Sequence, residues 1–103
     1  SNDAIYNLYQ EVIKQEEKFM ITLQKIISTE NSTDEYIHDL NEENEKNYEY
    51  LKVKAFDTYR NNQNFDLASL LNMIREVRDS GKLLLKALHQ FENHKNKKTG
   101  DLQ

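Results

Sequence analysis

Few residues of this chain have the type and spacing to do chemistry. Glu35 and His38 form an E-x-x-H pair, and His89 and Glu92 form the reverse, H-x-x-E. Carboxylate-bridged metal bundles use two E-x-x-H pairs plus a Glu from each of two other helices. Here one pair has the right order, with Glu16 as a further candidate, so the set is incomplete. Glu35 also lies three residues after Ser32, the S-x-x-E spacing of a helix capping box. A solvated first turn accounts for it without a metal. The acidic run Asp39, Glu42, Glu43, Glu45 and Glu49 lacks the glycine-turned loop that calcium needs and reads as a solvated helix face. No cysteine is present, which removes thiolate chemistry and zinc ribbons. Three histidines offer no Ser-His-Asp arrangement. His38 and Asp39 are sequence neighbours that diverge on a helix, and His89 sits at the edge of an apolar seam. No catalytic residue, metal site or cofactor is expected, and the chain is read as not an enzyme.

Surface features give more. Lys82, Lys86, Lys95, Lys97 and Lys98 make the end of the chain basic: residues 32–62 carry a net charge of −4 and residues 63–103 a net +2. This basic end is a candidate for a charged partner such as acidic lipid headgroups or an acidic protein loop. Six tyrosines stand out: Tyr6, Tyr9, Tyr36, Tyr48, Tyr50 and Tyr59. Tyr48 and Tyr50 are two residues apart and cannot both face one core on a helix. Exposed tyrosine is enriched at protein contacts, so this pair is a candidate contact point. Gly81 lies within an apolar helical stripe, where glycine costs ~1 kcal/mol against alanine. Either a second helix backbone, from α-helical segment one or a second copy, passes close there, or a local kink opens a pocket.

The elements that must carry these residues are helices. The chain has 103 residues, no proline and two glycines. That composition disfavours a turn-rich β fold and leaves no Walker loop or dinucleotide fingerprint. Three amphipathic segments follow from spacings of three and four. The first runs from about Asp3 to Ser28, through Ile5, Leu8, Val12, Phe19, Leu23 and Ile26, with Glu16 interrupting the stripe. The second starts at Ser32, and its stripe of Tyr36, Ile37, Leu40, Tyr48, Leu51, Ala55 and Tyr59 fails between Asn41 and Asn47. The Asn61–Asn64 run ends it. Asp66 caps the third, with Phe65 and Leu70 placed as a hydrophobic staple. Leu67, Leu70, Ile74, Val77, Gly81, Leu84, Leu88 and Phe91 then form its seam, widened by Leu71 and Leu85.

Short connections make neighbours antiparallel. The expected fold is all-α: an up-down bundle of three long helices, or four if the first breaks at Glu16 or the second within 41–47. Residues 1–92 form the bundle domain and residues 93–103 a basic flexible tail. The stripes of the first and third helices are wider than one seam requires, which points to self-association or a protein partner. A net charge of −4 argues against nucleic acid. No apolar run approaches the ~20 residues that span a bilayer.

The opening Ile5-Tyr6-Asn7-Leu8-Tyr9-Gln10-Glu11-Val12-Ile13 and the Asn64-Phe65-Asp66 lead into a leucine-rich helix resemble the immunity proteins that protect lactic acid bacteria from pediocin-like (class IIa) bacteriocins, the enterocin A immunity family. Length, helical content and Asn/Lys-rich composition agree with it. The resemblance implies a cytoplasmic antiparallel helical bundle without catalysis, acting at the inner membrane face on a permease receptor complexed with bacteriocin. It implies a recognition role for the C-terminal portion, here Leu84 onward with Lys95, Lys97 and Lys98. The family bundle has four helices, where this sequence shows three long ones.

Overall fold

The structure is a computed structural model. It describes residues 2–29 and 34–101, with side chains over 3–28 and 34–94. Three helices make up the fold: α1 Asn2–Thr29, α2 Asp34–Asn61 and α3 Leu67–Asp101. Together they form an all-α helical bundle. Neither α1 at Glu16 nor α2 within 41–47 is broken, so the count is three among the described residues. The proposed capping residue Ser32 lies outside the described residues. The bundle is a rod of 62 × 19 × 17 Å.

The α2–α3 turn is fixed by local polar chemistry. The Asn62 amide closes α2 on the Thr58 carbonyl at 2.9 Å. The Asn62 side chain then accepts from the Asn64 amide at 3.1 Å, turning the chain. Asp66 caps α3: its carboxylate accepts from the Ser69 amide at 3.1 Å and the Ser69 hydroxyl at 2.6 Å. These bonds, the hydroxyl first, hold the Asp66 carboxyl below its ordinary pKa. Phe65 stacks edge-on to Tyr59 at 5.7 Å and packs with Leu70 in the core, the staple arrangement.

Two apolar clusters form the core. One joins Leu8 and Val12 of α1, Leu51 and Ala55 of α2, and Leu70 and Ile74 of α3. The other joins Leu23 and Ile26, Ile37 and Leu40, and Leu85 and Leu88. The early half of α1 thus meets the late half of α2 and the early half of α3. So α1 and α3 run parallel, with α2 antiparallel to both.

Several seam positions differ from expectation. Leu85 is fully buried, while Leu84 and Phe91 are exposed. α3 is buried along Leu70, Ile74, Gly81, Leu85 and Leu88, where both other helices meet it. Val77 packs at the edge of the first cluster, while Leu84 and Phe91, further along the same line, are exposed. In α1, Ile13, Met20 and Ile27 are likewise exposed. Glu16 is not an inward interruption: it is exposed, and Gln15 turns partly inward in its place. The polar run 41–47 does not lie exposed either. Asn44 occupies the core position between Leu40 and Leu51 and is 7% exposed, while Glu42, Glu43 and Lys46 point out. Finally, α3 continues as helix through Asp101, past Glu92 where its apolar pattern ends. Residues 93–99 contain no helix breaker, and lysines late in a helix complement its negative end.

Candidate functional site

Between the two clusters lies a polar layer built around Asn44. Its amide Nδ2 donates to the Arg78 backbone carbonyl at 2.9 Å, one turn before Lys82 on α3. The side chain fits only because residue 81 is glycine. A Cβ on Gly81 would stand 2.9 Å from Asn44 Nδ2, 3.0 Å from Oδ1 and 3.1 Å from Cγ. Gly81 is therefore a close-approach position, but what approaches is a side chain of α2. The neighbour within this chain is thus a side chain and not the helix backbone expected from sequence. The reason is the unforeseen inward turn of Asn44: a polar side chain fills the space that a facing apolar residue would need.

Arg78 organises the rim of this layer. Its guanidinium stacks on the Tyr48 ring at 4.1 Å, bonds Asp79 at 2.7 Å and reaches Glu45 at 3.4 Å. The Asp79 bond and the nearby carboxylates raise its pKa further above the ordinary value, against the opposing effect of burial. Gln15 enters from α1, and its Oε1 is buried without a hydrogen-bond partner. A cavity of about 30 Å³ lies beside this group, bounded by Phe19, Met20, Tyr48, Ile74, Arg78 and Gly81 among others. That volume suits a water molecule and no larger ligand.

The expected partner-binding residues are not gathered in one place. Tyr48 is half-buried against Arg78, with the Lys52 ammonium 5.0 Å from its ring. Tyr50 is exposed on the far side of α2, where Lys54 Nζ lies 3.3 Å from its hydroxyl and 5.5 Å from its ring centre. Lys54 also pairs with Glu11, tying α2 to α1. Burial alone would raise the Glu11 carboxyl, but hydrogen bonds from Lys54 and Tyr50 and the Lys54 charge outweigh it and lower its pKa. The hydrogen bond to Glu11 chiefly raises that of Lys54.

Lys82 and Lys86 are exposed on α3 and border a shallow depression with Asp34, His38 and His89. Lys82 lies 3.6 Å from Glu45, so part of its charge is already matched. The side chains of Lys95, Lys97 and Lys98 lie outside the described residues. His38 bonds Glu42 at 3.3 Å, and Glu35 is exposed, so the E-x-x-H pair does not converge with Glu16. His89 Nδ1 lies 3.2 Å from Asp34, and Asn93 lies 3.2 Å from Nε2. Among the described residues, no three His, Asp or Glu side chains form a group that could hold a metal ion. None of the described helices is long and apolar enough to cross a membrane.

Sequence reasoning missed Asn44, Gln15 and Arg78. The signal for Asn44 was its spacing of four from Leu40 and seven from Leu51, which continues the core periodicity with a polar residue. Comparison with known proteins finds no matching family model, no matching curated protein and no matching solved structure.

Proposed function

We propose that the chain is a non-catalytic interaction protein and, in its most specific form, a bacteriocin immunity protein acting in the cytoplasm of the producing cell. The observation that carries the interaction reading is the exposed apolar surface of α1 and α3, including Tyr6, Ile13, Met20, Ile27, Leu84 and Phe91. Large apolar side chains repeated along one helix face and left in water are the kind of contiguous apolar surface that marks contact sites. The immunity form rests on the resemblance of the 5–13 segment and the Asn64-Phe65-Asp66 lead to the pediocin-like immunity family. Its partner would be a receptor complex at the inner membrane face, with the Lys82 and Lys86 flank and the 95–98 lysines available to acidic groups there.

The test is a killing assay. Sensitive cells expressing the chain are challenged with a panel of pediocin-like peptides. Protection against at least one of them supports immunity, and unchanged sensitivity across the panel refutes it. The same exposed surface also favours a second reading, a helical assembly or chaperone-like subunit of a secretion or phage system. Light scattering separates the two: a stable oligomer or co-purifying partner supports assembly, and a strict monomer without a partner argues against it.

A further inference from the structure

Six exposed apolar side chains of α1 and α3 lie along the seam between the two helices, while Ile21 and Leu83 are exposed on other faces. On α1, Tyr6, Ile13, Met20 and Ile27 follow each other at intervals of seven, which places them in one line along the helix. All four are exposed, Tyr6 by 63% and Ile27 by 57%. On α3, Leu84 and Phe91 repeat the interval, and Phe91 is 59% exposed. Met20 and Leu84 line the same hollow, which sets the two lines side by side along the parallel α1–α3 seam. From Ile13 to Ile27 the surface runs about 21 Å, four helical turns. Two parallel ridges with a shallow valley between them form the seat that a third helix fills in a helical bundle.

Charge says what kind of helix. At 100° per residue, the charged positions bordering this surface are Glu16 and Glu17 on α1 and Glu76 on α3, all exposed. Lys14, Lys18 and Lys25 fall on other faces of α1. Arg75, Arg78, Lys82 and Lys86 fall on other faces of α3, with Arg78 and Lys82 turned to Glu45 of α2. The described lysines and arginines thus fall on other faces and carboxylates border the apolar surface, with Lys98 following Phe91 by seven residues at the far end of the α3 line. A second copy of the chain would set these carboxylates against one another or against Glu76.

We infer that the α1–α3 surface is a docking groove for one amphipathic helix of a protein partner, whose apolar stripe is flanked by lysine or arginine. This inference rests on the reading of the chain as an interaction protein, and it is independent of the immunity form. A negative killing assay leaves the groove standing, and a failed peptide titration removes the groove without touching immunity.

The experiment titrates the full chain into a fluorescently labelled helical peptide of about 20 residues, with leucine at heptad positions and lysine on both flanks. The comparison peptide carries glutamate in place of lysine. Fluorescence anisotropy is expected to show the lysine peptide binding at least ~10-fold tighter, a gap of about 1.4 kcal/mol, narrowing at high salt. Met20→Ser with Leu84→Ser weakens binding by a similar factor. Ile13→Ser with Phe91→Ser, at more exposed positions, does the same should the first pair disturb the fold by circular dichroism. Glu16→Gln with Glu17→Gln narrows the preference for lysine over glutamate. Glu42→Gln with Glu43→Gln, on the remote acidic face, leaves both affinities unchanged. Equal binding of the two peptides, indifference to the serine pairs, or an equal loss in the remote variant overturns the inference. So does a dimer in light scattering that Met20→Ser dissociates.

Discussion

The contact between Asn44 and Gly81 predicts a stability effect whose sign depends on the neighbour. In an exposed helix interior, Gly→Ala stabilises by ~1 kcal/mol, because alanine loses less conformational freedom. At Gly81 the new methyl would stand within about 3 Å of three atoms of the Asn44 side chain. That side chain is held by its bond to the Arg78 carbonyl and is almost wholly buried. Overpacking costs ~1–3 kcal/mol, and displacing the amide weakens a hydrogen bond worth ~0.5–1.5 kcal/mol. Less the propensity gain of ~1 kcal/mol, Gly81→Ala should destabilise the chain by about 0.5–3.5 kcal/mol, and Gly81→Leu by more. In an Asn44→Ala background the obstacle is gone. There Gly81→Ala should recover most of its ~1 kcal/mol of propensity and become stabilising. The coupling energy is then about 1.5–4.5 kcal/mol, reaching from the middle of the usual range for residues in contact to beyond its top. Urea denaturation of the four proteins in this cycle, followed by circular dichroism, measures it. For a chain of this size each kcal/mol corresponds to roughly 4–8 °C in Tm. If Gly81→Ala stabilises the parent chain, or has one sign and size in both backgrounds, the close-approach argument is wrong.

Other substitutions probe the rest of the bundle. Leu85→Ala and Leu70→Ala each empty a fully buried site at opposite ends of the core and should cost about 2–5 kcal/mol, read as a lower urea midpoint. Leu83→Ala, at an exposed neighbouring position, should stay within about 0.5 kcal/mol, and an equal loss at both sites would contradict the assigned seam. Gln15→Leu removes a buried acceptor without a partner and should add up to ~1–2 kcal/mol of stability, read as a higher urea midpoint; a lower midpoint would show that the amide is satisfied in solution. The Glu11 carboxyl has a lowered folded pKa, so its pairing with Lys54 stabilises above the ordinary value of 4.5 and fades as pH falls through the folded one. Both groups are near the surface, so the effect is at most ~1 kcal/mol. Glu11→Gln should flatten the loss of Tm on acidification, and an unchanged slope would remove the pair from the stability balance.

The three helices and the turn between α2 and α3 were legible from local chemistry. Spacings of three and four located the helices, and Asn62, Phe65 and Asp66 act within a few residues of themselves. Helix faces were harder. A stripe as wide as Leu84-Leu85-Leu88 does not say which leucine faces inward, because that depends on where two other helices approach. Leu85 faces them and Leu84 does not. Asn44 was hidden for a related reason. Asparagine is disfavoured in a core unless something accepts its hydrogen bond, and the acceptor is a carbonyl 34 residues away. Gly81 drew notice for its propensity cost, yet its neighbour could be identified only when α2 and α3 were placed side by side. The exposed surface of α1 and α3 was visible only as an excess of apolar residues, since sequence counts such residues without saying which are left over after packing.

Long helices with seven-residue repeats can slide past one another by two turns, and in the α2–α3 pair either slip already sets Leu40 against Arg78 or Glu92. In the native alignment Asn44 of α2 stands level with Gly81 of α3, and by the same antiparallel spacing Leu40 stands level with Leu85 and Leu51 with Ile74. A slip of seven residues would bring Asn44 against Ile74 or Leu88, where no carbonyl is freed for it by a glycine. An amide buried without a partner costs ~1–3 kcal/mol, and Gly81 would meanwhile face Ile37 or Leu51 across a gap cut for a smaller group. The Asn44–Gly81 pair therefore adds a polar constraint on the offset between α2 and α3: it gives up apolar burial at mid-bundle in exchange for a bond that a slipped pairing would lose, as a lone core asparagine does in coiled coils. Replacing both residues with alanine should yield a bundle that is no less stable but folds with slower, multiphasic kinetics as slipped pairings form and dissolve.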